Sequence, residues 1–455
     1  MKKNYSLLLK PLIVIVALLG GTYLVLWVEK SKPSDFGFYK DIFSKEVLIA
    51  KSNYYPLRNK TPLNKKEMDM ARIAWKYFQN NYYDSTGLVN ASDKYPAATM
   101  WDITSSALGI ISAYEIGIID STECCTKIKK QLISLSKIPL FHGKLPHKVY
   151  NVLTLQMVDY GNNELPKGLG WTAIDIGRFF VLVNKIYRDY PQFTLLINKV
   201  IGRWNLDEMI NDGFLQGTFF TSKDRRPKLI QEGRLGYEEY ASKGLCFTGF
   251  DLWNAMNYSD FIHFARFGKI DIGYDLRESS TEPSYNFTLS EPYVLDGIEY
   301  GWNKDARELA WRIFNVQKER YSETGYVTAV SEDHIDTLPY LVYNAVVNEG
   351  KKWDCISESG DDANEFKTLS TKAALGWYVL FADEYSNILF DAIKNLYDPN
   401  KGWYAGLYEK TKRPNKAINV NTNGIILECL NYKMNGKLVN TYHSVDTTEV
   451  QKYNE

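Results

Sequence analysis

Ten consecutive residues, Gln231-Glu232-Gly233-Arg234-Leu235-Gly236-Tyr237-Glu238-Glu239-Tyr240, bring together three carboxylates, an arginine and two tyrosines. Four shorter segments also set a carboxylate at the start of a helix-compatible stretch or just after a glycine-centred segment: Thr99-Met100-Trp101-Asp102, Trp171-Thr172-Ala173-Ile174-Asp175, Val330-Ser331-Glu332-Asp333 and Leu407-Tyr408-Glu409. Carboxylates interleaved with aromatics suit the cleavage of a glycosidic bond. That reaction needs one carboxylic acid to protonate the leaving oxygen and a second carboxylate to activate water or attack carbon. Glu232 is the first choice for the acid, because apolar and aromatic neighbours raise a carboxyl pKa. Arg234, two positions on, pulls the other way. Glu332 is the choice for the partner, with Asp102 next.

Trp101, Trp171, Tyr237, Tyr293 and Trp403 offer flat faces on which sugar rings stack. Asp175 and Arg178 can hydrogen-bond sugar hydroxyls, and Arg234, Glu239, Asp333 and Glu409 complete the polar lining. Plainer roles compete. Asp102 and Asp175 also fit as acidic residues at helix N-termini, Arg178 sits three residues from Asp175 where a helix-face ion pair is common, and Glu291 before Pro292 suits a helix start. The five histidines show no HxxxH or HExxH spacing, so a zinc mechanism is not expected. Among the five cysteines Cys124 and Cys125 are adjacent and Cys246, Cys355 and Cys429 isolated, which reads as small buried residues and not a metal site. Gly233 and Gly236 follow no strand-and-phosphate-loop pattern. No cofactor is expected.

A recurring unit must position these residues. Glycine-centred segments return at Asp84-Ser85-Thr86-Gly87-Leu88-Val89, His142-Gly143-Lys144-Leu145, Asp212-Gly213-Phe214-Leu215, Ile272-Gly273-Tyr274, Thr324-Gly325-Tyr326-Val327 and Lys401-Gly402-Trp403-Tyr404. Their spacing, roughly 50 to 80 residues, holds two ordinary helices plus loops. Between them, stretches such as 103–119 and 174–187 place apolar residues on wide helical stripes. A helical hairpin cannot bury its apolar face alone, whereas a closed ring of hairpins can. The expectation is an all-α (α/α)6 toroid with short β-like segments around a central funnel, where the first turns of the inner helices converge. Glu232 and Glu332, two units apart, would face each other across it.

At the N-terminus, Lys2, Lys3 and Lys10 precede an uncharged apolar run over 12–28, about the length that crosses a hydrocarbon core. Basic residues before the run and Glu29 after it predict a cytoplasmic N-terminus and a translocated body. Val25, Leu26, Trp27 and Val28 do not make a signal-peptidase site, which favours an uncleaved anchor. The expected organisation is therefore a cytoplasmic tip and transmembrane anchor at 1–30, a tether at 31–65, the toroid at 66–433 and a polar, frayed tail at 434–455. Lysine plus arginine and aspartate plus glutamate number 54 each, a balance that suggests no nucleic-acid surface.

The ordered segments MWDITSSALG, GWTAIDIGR, QEGRLGYEEYA, SEPYVLDGIE, TAVSEDHID, STKAALGWY and NTNGIILECL resemble the bacterial domain of unknown function 3131 family over about 71–432. That family is similar in turn, more distantly, to the six-hairpin (α/α)6 glycosidases. The resemblance implies a carbohydrate-active protein of the cell envelope, periplasmic or extracellular. Its partners would be a polysaccharide or oligosaccharide, the lipid bilayer through 12–28, and exopolysaccharide synthesis or export machinery. Two functions remain open: a glycoside hydrolase or transglycosylase acting on an exopolysaccharide or envelope glucan, and a non-catalytic glycan-binding component of exopolysaccharide assembly or export.

Overall fold

A helix enclosed on every side needs apolar or small residues all round, and one on the rim needs a single stripe. The two kinds alternate here. The computed structural model describes residues 14–23, 25–26, 55–219, 227–257, 259, 261–280 and 284–439, and the chain divides into two units, 1–51 and 52–455. Among the described residues of the second unit, six pairs of α-helices follow one another. They are α1 (Lys65–Asn81) with α2 (Met100–Glu115), α3 (Ser121–Leu135) with α4 (Ala173–Asp189), and α5 (Thr194–Ile201) with α6 (Tyr237–Cys246). Then come α7 (Trp253–Met256) with α8 (Glu291–Glu299), α9 (Lys304–Thr324) with α10 (Thr371–Leu380), and α11 (Glu384–Ile393) with α12 (Val420–Asn435).

The second member of each pair is an inner helix. The inner helices pack in the order α2, α4, α6, α8, α10, α12, and α12 returns to α2, closing an (α/α)6 ring. Small residues set their spacing. A Cβ on Gly424 of α12 would stand 2.7 Å from the Ser105 carbonyl oxygen of α2, and one on Gly177 of α4 would stand 2.7 Å from that of Ala241 in α6. Any side chain at either position would force the helices apart. Polar bonds also cross the closure: Trp403 donates its indole N–H to the Met70 carbonyl at 3.0 Å, and Lys433 pairs with Glu67 at 3.0 Å.

The fourth unit departs from two ordinary helices. Its outer helix α7 is a single turn, and a β-hairpin, Ile262–Phe267 paired with Ile270–Asp275, packs against α9. The sequence there is rich in aromatic and β-branched residues around Gly268-Lys269, where Gly268 has φ +51°, a composition that suits a tight hairpin. Short antiparallel strands lead directly into inner helices: 97–99, paired with 149–151, enters α2, and 368–370, paired with 406–408, enters α10.

Two boundaries differ from expectation. Residues 55–64 are not a free tether: the Arg58 amide bonds the Leu380 carbonyl, its guanidinium lies 4.2 Å over Tyr378, and the Thr61 amide bonds Lys433. Nor is the chain frayed just after α12, since the Leu438 and Val439 amides bond the carbonyls of Ile298 and Glu299 and both side chains are buried. Arg58, whose guanidinium also bonds the Tyr378 carbonyl and Ser386, anchors the first segment, and the apolar side chains of Leu438 and Val439 anchor the second. In the first unit residues 14–23 and 25–26 are helical, and among the described residues no helix is long and apolar enough to cross a membrane. The run at 12–28 extends beyond the described residues at both ends.

A candidate active site in the funnel

The first turns of all six inner helices meet through side chains. The Trp101 amide (α2) donates to Asp175 (α4) at 3.4 Å, and its indole N–H donates to Asn421 (α12) at 3.1 Å. The Trp101 ring meets Tyr237 (α6) edge-on at 5.8 Å, and the Tyr237 hydroxyl donates to Glu332 at 3.3 Å. Asn421 in turn donates to Glu291 (α8) at 2.8 Å, which pairs with Lys372 (α10). These groups form the floor of the funnel.

Three carboxyl groups stand on that floor, and among the described residues none of them forms an ion pair: Asp175, Glu232 and Glu332. Thr172 precedes α4 without a side-chain cap, and Glu232 takes over the role, accepting the backbone N–H groups of Ala173 and Ile174. Burial pushes the Glu232 carboxyl up to about 7, against the opposing pull of Lys148, the two amides and Arg234. Burial and the charge of Glu291 push Glu332 up to about 8, against Lys372 and the Tyr237 hydroxyl. Burial, Glu232 and Asp102 together hold Asp175 well above the usual carboxylate range. Loss of hydration disfavours each anion, and the charges of Glu232 and Glu332 disfavour that of Asp175 further.

Glu332 lies on the strand Glu332–His334, where side chains alternate. Glu332 and His334 are half-buried on the funnel side, while Asp333 is buried behind them, hydrogen-bonded to Ser370 at 2.9 Å and Thr368 at 3.2 Å. Asp333 is therefore scaffolding and not a sugar contact. A turn carrying Tyr160 and the strand Leu341–Asn344, paired with 332–334, also approach the site. Tyr160 and Tyr343 both feel the charges of Glu332, Asp175 and Glu358, and Tyr343 stacks on Phe287 at 4.3 Å.

Several residues expected to touch a sugar do not line the funnel. Arg178 is fully buried beneath Trp101, bonded to Ser105 and Asn421 and paired with Glu428, and it makes no ion pair with Asp175. Trp403 is fully buried against α1, and buried Trp171 gives its indole N–H to the Gln216 carbonyl. Buried Arg234 binds the carbonyls of Gly233, Arg277 and Ser284 and so braces the loop that carries Glu232. Glu409 is locked by Arg320 at 2.6 and 2.7 Å. Asp102 completes a capping box with Thr99. Glu239 caps α6 through the Gly236 amide and, with buried Tyr293, lines a separate cavity between α6 and α8. Among the described residues no group of three or more His, Cys, Asp or Glu side chains could hold a metal ion.

Lys372, Asn421, Glu291, Tyr160, Tyr343 and His334 were not among the residues expected to form the site. Lys372 carries a sequence signal, since it is a charged residue in the first turn of an otherwise largely apolar inner helix.

A family model described as protein of unknown function (DUF3131) matches residues 69–436. The chain belongs to the DUF3131 family. A search of curated proteins finds no match. Solved structures share the fold. A glucoamylase-like protein of Bacteroides caccae is 12% identical with a TM-score of 0.57, the alignment covering 82% of this chain and 94% of that one. An endo-β-1,2-glucanase of Chitinophaga pinensis, in complex with sophorotriose and glucose, is 13% identical with a TM-score of 0.54, covering 82% and 93%. An endo-β-1,2-glucanase of Talaromyces funiculosus, in complex with β-1,2-glucan, is 11% identical with a TM-score of 0.54, covering 90% and 88%. The (α/α)6 architecture of this DUF3131 chain is thus that of six-hairpin glycosidases.

Proposed function

We propose that the protein is a glycoside hydrolase or transglycosylase acting on an envelope glucan or exopolysaccharide, held at the outer face of the cell membrane by residues 12–28. The observation that carries the reading is a contrast between two sets of carboxylates. Glu238, Glu291, Asp296 and Glu409 are each tied to an arginine or lysine. Asp175, Glu232 and Glu332 share the funnel without such a partner, so they hold protons near neutral pH, as acid–base catalysis requires.

The geometry favours Glu332 as acid and Glu232 as base. This is the reverse of the order expected from sequence, because the two α4 amides stabilise the Glu232 anion. Glu232 takes a proton from water, the water oxygen bonds the anomeric carbon, and Glu332 gives its proton to the departing glycosidic oxygen. Asp175 keeps its proton and donates a hydrogen bond to a sugar hydroxyl. Half-buried Trp101, braced from behind by Arg178 at 4.4 Å, offers the stacking face.

Two of the fold relatives are endo-β-1,2-glucanases, which makes β-1,2-glucan the first substrate to test. The full chain in detergent, incubated with β-1,2-glucan and a panel of envelope polysaccharides, is expected to release new reducing ends. Tight glycan binding with no product on any of them would replace hydrolysis with the binding role in exopolysaccharide assembly or export.

A further inference from the structure

A lysine in the first turn of a helix opposes the helix dipole, and burying it adds a desolvation cost. Lys372 is the second residue of α10 and is 4% exposed. Its partner Glu291 opens α8, is 3% exposed, and accepts hydrogen bonds from Asn421 at 2.8 Å and Ser331 at 3.1 Å. Lys372 also lies 4.0 Å from Asp333. Ser331 and Asp333 flank Glu332, and both point away from the funnel into the protein, 0% and 1% exposed. The ion pair therefore grips the backbone on either side of the proposed acid. Through Asn421 the same network reaches the Trp101 indole and, with Ser105, the Arg178 guanidinium.

We propose that the Glu291–Lys372 pair is a positioning unit for Glu332, which fixes its place opposite Trp101 and sets how tightly it holds its proton. This rests on Glu332 being the acid of the proposed reaction. The charges of the pair oppose each other at Glu332: Glu291 disfavours its anion and Lys372 favours it. The other groups facing Glu332 are Tyr237 on α6, Asp175 on α4, Asp333 on its own strand, Tyr343 on the neighbouring strand and Tyr160 on a turn. Asp333 also feels both members of the pair and Tyr237 feels Glu291, so the Glu332 carboxyl is followed by its own assigned signal.

The test is a pair of single variants of the full chain, read in two ways. Glu291→Gln leaves the cation beside Glu332 and lowers its pKa, whereas Lys372→Met removes the cation and raises it, each by about one unit. The basic limb of the kcat/KM profile should move down in the first and up in the second. Direct titration of the Glu332 carboxyl by 13C NMR, assigned with Glu332→Gln, should show the same two shifts without any substrate. An unmoved titration in both folded variants would overturn the proposal. Opposite titration shifts in a chain that cleaves no glycan would keep the tuning and remove the hydrolase reading. Should a single change not fold, Glu291→Gln/Lys372→Met removes both members of the pair together and is read instead. Its kcat should fall about tenfold with KM held as the grip on 331 and 333 is lost, and a wild-type kcat would overturn the proposal.

Discussion

The guanidinium of Arg178 lies 4.4 Å over the ring of Trp101 while Glu428, at 3.4 Å, and Glu299, at 3.7 Å, approach it from two other inner helices. One side chain thus ties α4 to α2, α8 and α12 at the centre of the ring. Removing one partner of a buried charge cluster costs about 3–5 kcal/mol, because the remaining charges stay desolvated. Arg178→Met should lower the urea-unfolding free energy by about that amount. A loss under about 1 kcal/mol would show that the ring centre does not depend on this contact.

Trp101 should act on binding more than on turnover. Stacking against an aromatic face contributes about 1 kcal/mol, so Trp101→Ala should weaken glycan affinity about fivefold to tenfold while Trp101→Tyr keeps most of it. Calorimetric titration of oligosaccharide into the Glu332→Gln background measures this. Unchanged affinity in the alanine variant would move the sugar elsewhere.

The raised carboxyls reverse the usual pH dependence of stability. Burial pushes Glu232 and Asp333 up to about 7, and Glu239 and Glu332 up to about 8. Each binds its proton more tightly folded than unfolded, where carboxyl values lie near about 4. The stabilisation is complete below the unfolded values and is lost as pH rises through 7 to 8, since the folded state there holds more protons than the unfolded one. Tm should fall between about pH 6 and pH 9. A Tm that climbs across that interval would contradict the raised values.

Ring closure makes the last unit indispensable. Asn431 of α12 donates to Glu115 at the end of α2, and Lys433 pairs with Glu67 of α1. Truncation before Thr371 should abolish cooperative unfolding of the whole body rather than trim one lobe. A truncated protein that still melts in one sharp transition would argue against a closed ring.

The ring itself was legible in the sequence, because recurring glycine segments and a helical period leave few other ways to bury six hairpins. Within the candidate site, Asp175, Trp101 and Tyr237 were legible as residues at helix starts, and Glu232 and Glu332 as carboxylates following glycine segments. Depth was not. An inner helix is enclosed on every side, so periodicity cannot separate the first turn, which meets the funnel, from the next, which is core. Arg178 lies three residues beyond Asp175 and is already beneath the floor. Trp403 and Glu409 follow a glycine segment just as Glu332 does, but Trp403 faces α1 and Glu409 meets Arg320. Those pairings join residues far apart in the chain, and no local pattern announces them. The two amides that hold Glu232 depend in the same way on α4 arriving uncapped beside it.

The central claim is that Glu232 and Glu332 share the acid–base work, and paired kinetics on two substrates test it most directly. Turnover of the susceptible glucan and of an aryl glycoside with a good leaving group should be measured for wild type, Glu232→Gln and Glu332→Gln, with folding checked by thermal melt. On the glucan both variants should lose about 10²- to 10⁴-fold in kcat. On the aryl glycoside, whose leaving group needs no proton, Glu332→Gln should regain most of its rate and Glu232→Gln should not. Wild-type-like turnover in both variants, or rescue of Glu232→Gln alone, would contradict the account.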